Sequence, residues 1–155
     1  MLEKLELDGK VIVITGGGTG LGRAMGRSLA RSGADLVIAG RRTGPIEEAR
    51  DEFLSLGSKS IAVATDVTDS QQVDHLINTA IAELGRIDVL INNAANDTRH
   101  TIDEVTEEYW EDRINTNLKH FFFTIQAVKK SMIENSGGAI INMGSVSWMM
   151  GEGGM

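Results

Sequence analysis

The 155-residue chain is 41% hydrophobic and 24% charged, an ordinary globular composition that suits a single domain over residues 1–155 with a substantial core. Its net charge of −7 argues against nucleic acid or an anionic membrane as a partner, and the absence of cysteine excludes disulfides and thiolate metal sites. The N-terminus has no apolar signal region and no apolar run could span a bilayer, so the sequence predicts a cytoplasmic protein.

Strand and helix signals alternate along the whole chain. Short β-branched apolar runs predict five strands: KVIVITG, ADLVIAG, KSIAVATDV, IDVLINNA and GAIINMGS. Between them, helical spacing predicts GLGRAMGRSLARSG, GPIEEARDEFLSLG, DSQQVDHLINTAIAELG (capped by Asp69 or Ser70) and a long helix from about Glu104 to Glu134, with Trp110 in the core. This alternation predicts an α/β fold with a doubly wound parallel sheet, helices on both faces, and ligands at the carboxyl ends of its strands.

The first strand ends in TGGGTGLG, a glycine-rich turn before a helix. It does not fit G-x-G-x-x-G, because Leu21 holds the third glycine position, but it fits T-G-x-x-x-G-x-G starting at Thr15. In this reading Gly16 turns the chain, Gly20 lets the backbone approach a pyrophosphate and Gly22 lets the helix pack close to the strand. The helix N-terminus adds free N–H groups and a positive dipole, so the run predicts a dinucleotide phosphate site.

The second strand ends in Gly40, Arg41 and Arg42, where an NAD site would carry a carboxylate for the ribose hydroxyls. Guanidinium groups suit a 2′-phosphate, so the arginines favour NADP(H). The alternative is that both arginines are simply solvated.

Polar and small residues follow the third and fourth strands. Asp66 is placed to accept a hydrogen bond from the adenine amino group, with Val67 against the ring, although it is equally a turn or capping aspartate. Asn92–Asn93 are expected to satisfy backbone groups at the sheet opening, and Ala94–Ala95 leave room for ribose and nicotinamide. The cofactor-binding candidates are Thr15, Gly16, Thr19, Gly20, Leu21, Gly22, Arg41, Arg42, Asp66, Val67, Asn93, Ala94 and Ala95.

In order and spacing, TGGGTGLG, DV, NNAA, the asparagine of NTNL, and INMGS resemble the classical short-chain dehydrogenase/reductase family over the whole chain. A narrower similarity, in NNAANDTRH, YWEDRINTNLKH and GGAIINMGSVSW, is to bacterial aldose dehydrogenases of that family, those for D-xylose especially. The resemblance implies a Rossmann-type fold and hydride transfer between NAD(P) and a small alcohol or carbonyl compound, an aldose foremost. Thr19 stands where NADP enzymes of this kind often carry a second basic residue, so NAD(H) stays open beside NADP(H).

The resemblance also implies a catalytic set of Asn, Ser, Tyr and Lys, in which Asn117 and Ser145 match the first two. An asparagine within an apolar helix face is costly unless satisfied, so Asn117 is expected to open the helix locally and hold a water, or else to be an ordinary back-bonded residue. Ser145 would hydrogen-bond the substrate oxygen, or simply terminate the fifth strand.

The family's Tyr-x-x-x-Lys segment has no match here, because the only tyrosine, Tyr109, is not followed by lysine at that spacing. We therefore expect an N-terminal part of the fold, truncated before that segment. It would lack the family's general base, a tyrosine whose pKa the lysine lowers, because an unperturbed phenol is a poor base at neutral pH. The alternative function is a non-catalytic nucleotide-binding fragment; a sugar-nucleotide epimerase is disfavoured by the glycine spacing.

Two further expectations concern ligands and assembly. The candidate substrate residues, each equally readable as a solvated loop or hinge residue, are Asn96, Arg99, His100 and Trp148. The histidines on predicted helices suggest no metal site. The second half of the long helix carries more apolar residues than one sheet face needs, which predicts a homo-oligomer, a dimer or tetramer in the complete protein.

Overall fold

The computed structural model describes residues 6–150 and contains five strands. They are β1 (Val11–Thr15), β2 (Asp35–Gly40), β3 (Ser60–Ala64), β4 (Val89–Asn92) and β5 (Ala139–Asn142). The helices are α1 (Gly20–Arg31), α2 (Thr43–Ser55), α3 (Ser70–Leu84), α4 (Glu107–Ile114), α5 (His120–Glu134) and α6 (Ser147–Met150). A 3₁₀ turn covers Ile102–Glu104, and a π-helical segment, Asn115–Lys119, joins α4 to α5. The predicted alternation of strands and helices is confirmed.

The strands form one parallel sheet in the order β3-β2-β1-β4-β5. The chain builds outward from β1 through β2 and β3, then returns to the other side of β1 for β4 and β5. The strand order therefore reverses between β1 and β4, and their carboxyl ends form the switch point where doubly wound sheets bind ligands. This confirms the predicted fold class and fixes where the site lies.

Helices cover both faces of the sheet at its inner strands, whose alternate residues point to opposite sides, whereas the residues of the edge strand β5 are exposed. On one face the strands pack with α1 and α2 into a cluster that contains Ile12, Ile14, Leu36, Ile38, Ala30, Ala49 and Phe53. On the other they pack with α3 and α5 into a cluster that contains Val11, Val13, Val37, Leu76, Ile77, Leu90 and Val128. The two clusters hold the strand ends in a fixed relation to each other.

At the opposite end of the sheet, the buried carboxylate of Asp88 joins β1 to β4. It accepts hydrogen bonds from the Val11 amide (3.0 Å) and from Arg86 Nε and Nη2 (2.9 and 2.7 Å). Burial alone would raise the pKa of Asp88, but these bonds, the Lys10 ammonium and the charge of Arg86 hold it below its usual value. Asp88 therefore stays ionised and pins the start of both central strands.

The long helix starts later than predicted, and Glu104 lies outside it. The Glu104 carboxylate accepts hydrogen bonds from the Thr101 amide (2.7 Å) and hydroxyl (2.8 Å), which closes a separate 3₁₀ turn. The helix then begins at Glu107, where the Thr106 hydroxyl accepts the amide hydrogen of Tyr109 (3.1 Å). The capping-box pattern T-x-x-E is thus used by the turn rather than by the helix.

An apolar stripe runs along the outer face of α4, the π-helical segment and α5, with one residue at every fourth position: Trp110, Ile114, Leu118 and Phe122. Trp110 is 62% exposed, so its predicted place in the core is wrong.

Within residues 6–150, no helix is long and apolar enough to cross a membrane.

Candidate functional site

A cavity of about 990 Å³ opens at the carboxyl ends of the strands. Its walls come from the loops after β1, β2, β3 and β4 and from the π-helical segment. The lining residues are Gly16, Gly18, Thr19, Gly20, Leu21, Gly40, Arg41, Arg42, Pro45, Ile46, Thr65, Asp66, Val67, Asn93, Ala94, Ala95, Asp97 and Thr116. Of the cofactor-binding candidates, only Thr15 and Gly22 lie outside this lining. Gly18, Pro45, Ile46, Thr65 and Thr116 also line the cavity and were not predicted from the sequence.

Thr15, outside the lining, and Asn93, within it, hold the floor of the cavity together. The buried Thr15 hydroxyl accepts the amide hydrogens of Asn93 and Ala94, both at 3.0 Å. The Asn93 side chain donates to the carbonyls of Thr15 (3.1 Å) and Gly16 (3.2 Å). Asn93 thus satisfies backbone groups at the sheet opening, as the sequence predicts.

The glycine loop brings the N-terminus of α1 to the cavity. Gly16 has a φ of +66°, and a Cβ there would lie 2.9 Å from the Ala94 Cα, so the chain turns where a side chain would be strained and crowded. A Cβ on Gly22 would lie 2.3 Å from the Gly16 carbonyl oxygen. The N-cap Thr19 makes no side-chain capping bond, and the first turn of α1 has no acidic residue. The terminal N–H groups are therefore suited to an anion.

The rim after β2 is cationic. Arg41 and Arg42 are exposed on the cavity wall, and neither forms an ion pair with another residue of the described range 6–150. Helix α2 begins at Thr43 with no acidic residue in its first turn. In a chain of net charge −7, this places uncompensated positive charge beside the cavity.

Asp66 serves the loop after β3. Its Oδ1 atom accepts hydrogen bonds from the Thr68 amide (3.0 Å) and hydroxyl (2.7 Å), and its own amide donates to Gln72 Oε1 (2.8 Å). One carboxylate oxygen of Asp66 therefore stabilises the turn, as the turn-aspartate alternative predicts. Asp69 caps α3 as predicted, since its carboxylate accepts the Gln71 and Gln72 amide hydrogens.

Asn117 lies in the π-helical segment, so the predicted local opening of the helix is confirmed. Its Oδ1 accepts the Asn96 amide hydrogen (2.8 Å), and its Nδ2 donates to the Asn96 carbonyl (3.0 Å). The side chain is satisfied by the loop after β4 rather than by its own helix, and it ties that loop to the helix. Whether Asn117 also holds a water stays a prediction.

Ser145 lies in the exposed loop after β5, at the same edge of the sheet. It does not line the cavity. The strand before it is fixed by the side chain of Asn92. Its Nδ2 donates to Asn142 Oδ1 (2.9 Å), and its Oδ1 accepts from the Thr124 hydroxyl (2.8 Å). The catalytic role of Ser145 stays a proposal.

A second cavity, of about 510 Å³, adjoins the first, and Asp97 lines both. Of the candidate substrate residues, Asn96 and His100 line it. Arg99 stands outside the lining and pairs with Asp97 (3.4 Å), and the side chain of Trp148 lies outside the described part of the chain. Tyr109 and Arg113 on α4 also line this cavity and were not predicted as site residues; their i, i+4 spacing was the available signal.

His120 is a buried titratable group behind the cavities. It is 1% exposed, and neither ring nitrogen has a hydrogen-bond partner of good geometry within residues 6–150. Burial lowers the pKa of His120, and the backbone of Thr116 opposes this shift only in part. The folded chain therefore keeps the ring neutral at pH 7.

We expect the free energy of unfolding to fall as the pH drops below about 6.5, because the unfolded chain then binds a proton at His120 that the folded chain resists. Urea titrations at pH 7.5 and 5.5 measure this loss. His120→Gln should flatten it, whereas the control His75→Gln, on the exposed side of α3, should keep the wild-type loss. An unchanged slope in His120→Gln would contradict the assignment.

Comparisons with known proteins agree with this geometry. The family model described as short chain dehydrogenase matches residues 10–155. D-xylose 1-dehydrogenase of Caulobacter vibrioides is 41% identical over 145 residues, which cover 94% of this chain and 57% of that protein. The 2-dehydro-3-deoxy-D-gluconate 5-dehydrogenase of Escherichia coli is 37% identical over 147 residues, with the same coverage. A solved 7α-hydroxysteroid dehydrogenase, complexed with NADH and 7-oxo glycochenodeoxycholic acid, has a TM-score of 0.92 at 30% identity and covers 98% of this chain and 59% of its own. The chain thus spans less than two thirds of the length of these relatives.

Proposed function

Because the chain belongs to the short-chain dehydrogenase family, we propose that its 990 Å³ cavity binds a nicotinamide dinucleotide for hydride transfer to or from a small alcohol or carbonyl compound. The observation that carries this proposal is the cavity itself. It joins a glycine loop, an uncapped helix N-terminus, two arginines without ion-pair partners in residues 6–150 and a small-residue wall at Ala94–Ala95. Its volume lies at the upper end of the range for ligand pockets.

Each part of the cavity fits one part of the cofactor. The N-terminus of α1, brought close by Gly16 and Gly22, would hold the pyrophosphate. Val67 and the remaining oxygen of Asp66 would meet the adenine. Ala94–Ala95 would leave space for the nicotinamide end, beside Asn117 and its bond to the loop. When bound, the cofactor supplies the hydride chemistry, and these residues only bind and orient it.

NADP(H) is the proposed preference, with NAD(H) as the second candidate. Arg41 and Arg42 provide two guanidinium groups at the rim where the adenosine ribose would lie, and nothing in the described part of the chain neutralises them. A 2′-phosphate would gain charge-assisted hydrogen bonds there, and a bare ribose hydroxyl would not.

The proposed substrate is a polyhydroxy carbonyl compound or its reduced alcohol, an aldose foremost, because two of the relatives named above are dehydrogenases named for D-xylose and for 2-dehydro-3-deoxy-D-gluconate. Ser145 is proposed to donate its hydroxyl hydrogen to the reacting oxygen, and Asn117 to fix the loop beside the nicotinamide. The sequence contains no tyrosine followed by lysine four residues on, so we propose that these 155 residues bind the cofactor without turning over substrate.

The alternative function is non-catalytic nucleotide binding. Both readings expect the chain to bind NADPH. We expect no D-xylose-dependent reduction of NADP⁺, measured at 340 nm, from these 155 residues alone. Turnover that persists in Ser145→Ala would contradict both the proposed role of Ser145 and the need for a further general base.

We also propose that the protein forms homo-oligomers. Leu118 of the π-helical segment and Phe122 of α5, the half of the stripe that does not line the second cavity, leave large apolar side chains exposed. Burying these two side chains against a second copy would remove apolar surface from water. A single monomeric species in sedimentation velocity at micromolar concentration would contradict this proposal.

A further inference from the structure

We propose that the 510 Å³ cavity beside the cofactor cavity binds the carboxylate of a polyhydroxy acid, with Arg113 as the cation that recognises it. This inference deepens the proposed function and rests on it for the sugar-like character of the ligand. It concerns a cavity formed between the loop after β4 and one side of α4. The lining residues are Asn96, Asp97, Thr98, His100, Ile102, Val105, Tyr109, Trp110, Arg113, Ile114 and Asn117.

The first support is the charge of Arg113, which is poorly compensated for its burial. The side chain is only 17% exposed, yet its nearest carboxylate, on Asp112, is 4.0 Å away and mostly in solvent. Its one hydrogen bond within residues 6–150 is a long contact of 3.4 Å from Nη1 to the Asn96 carbonyl. Buried guanidinium groups are normally paired with carboxylates, so a ligand carboxylate would supply what the described residues lack.

The second support is that the surroundings hold Arg113 in place before any ligand arrives. Its guanidinium lies over the Tyr109 ring, 4.5 Å from the ring centre. The Tyr109 hydroxyl donates to the Thr98 carbonyl (3.0 Å) and lies 2.8 Å from His100 Nδ1, which joins the loop to α4. Stacking and these bonds restrict the side chain, so less freedom is lost on binding.

The third support is the mixed character of the walls. Ile102, Val105, Trp110 and Ile114 provide apolar surface, while Asn96, Thr98 and His100 provide polar atoms. A polyhydroxy chain has apolar C–H faces and hydroxyl edges, and it fits a cavity that offers both. The exposed indole of Trp110 is a flat surface for such a face.

One guanidinium matches one carboxylate by a bidentate pair of hydrogen bonds. Asp97 stands at the rim, and its carboxylate disfavours a more highly charged ligand such as a phosphate dianion. A sugar acid is also the form that an oxidised aldose takes once its lactone adds water and opens. The site is therefore suited to a substrate or product of the chemistry proposed for the neighbouring cavity.

The test is isothermal titration of the chain at low salt with D-gluconate and with neutral D-sorbitol. We expect gluconate to bind, sorbitol to bind at least tenfold more weakly, and added salt to weaken gluconate binding. Arg113→Met should lower gluconate affinity at least tenfold. The matched control Arg50→Ala, which removes an arginine on α2 outside the cavity lining, should leave it unchanged.

NADPH affinity, measured on the same samples, separates the two proposals. Loss of gluconate binding with intact NADPH binding in Arg113→Met supports the site. Gluconate binding by a chain that fails to bind NADPH would refute the proposed function but keep this site. The inference is overturned if wild type does not bind gluconate at millimolar concentration, if sorbitol binds equally well, or if Arg50→Ala loses as much as Arg113→Met. If Arg113→Met fails to fold, the comparison of gluconate with sorbitol on wild type still decides.

Discussion

Gly22→Ala should destabilise the chain by on the order of 3 kcal/mol and abolish its binding of NADPH. The added Cβ would lie 2.3 Å from the Gly16 carbonyl oxygen and 2.7 Å from the Asn93 side-chain nitrogen. The Gly16 carbonyl oxygen belongs to the backbone and cannot rotate away, so α1 must move away from the loop. That shift moves the helix N-terminus and breaks the bonds from Asn93 to Gly16 and Thr15. Urea unfolding and NADPH titration measure the two effects.

Gly44→Ala is the matched control. Gly44 lies in the first turn of α2 without a positive φ, and apart from its chain neighbours no atom lies within 4 Å of the position of a Cβ. Alanine should change stability by no more than about 1 kcal/mol, because its higher helix propensity and the contact of its Cβ with the Pro45 ring act in opposite directions. A Gly22→Ala chain as stable and as tightly binding as Gly44→Ala would show that the close approach of loop and helix is not required.

Arg41→Ala should weaken NADPH binding by roughly 10- to 150-fold and leave NADH binding nearly unchanged. The range corresponds to the loss of a charge-assisted hydrogen bond of about 1.5–3 kcal/mol to the 2′-phosphate. NADH lacks that phosphate, so it has little to lose at this position. Fluorescence titration with both cofactors gives the ratio directly.

Arg50→Ala serves as the control arginine, since Arg50 lies on α2, away from the cavity lining, and pairs with Asp51. It should leave the affinities for NADPH and NADH almost unchanged, because it removes only one distant charge. Equal losses for NADPH and NADH in Arg41→Ala would mean that the arginine supports the fold or the general field, and the preference for NADP(H) would have to be abandoned.

The strands and the position of the site could be read from the sequence because both follow from local patterns. Runs such as VIVIT and DLVIAG have no other stable placement than a buried parallel strand. Glycines at 16 and 22 are required by a turn and by a close backbone contact, which the structure shows. Since every parallel strand ends at the same edge, residues far apart in the chain meet there, and the predicted cofactor residues gather without any knowledge of side-chain positions.

The features that the sequence reading missed depend on tertiary contacts. Helix α4 starts after Glu104 because that carboxylate is taken up by Thr101, although the T-x-x-E pattern looks like the start of a helix. Trp110 is exposed because the stripe it begins faces outward, and helical spacing alone does not say which face meets the sheet. The 510 Å³ cavity exists only because the loop after β4 folds back over α4, and no periodic pattern in the sequence indicates that path of the loop.

A crystal structure of the chain grown with NADPH tests the central claim most directly. The account predicts one NADPH in the cavity, with its pyrophosphate at the N-terminus of α1, its adenine beside Val67 and its 2′-phosphate within hydrogen-bond distance of Arg41 or Arg42. A structure with NADPH bound elsewhere, or with this cavity empty although NADPH is saturating in solution, would contradict it.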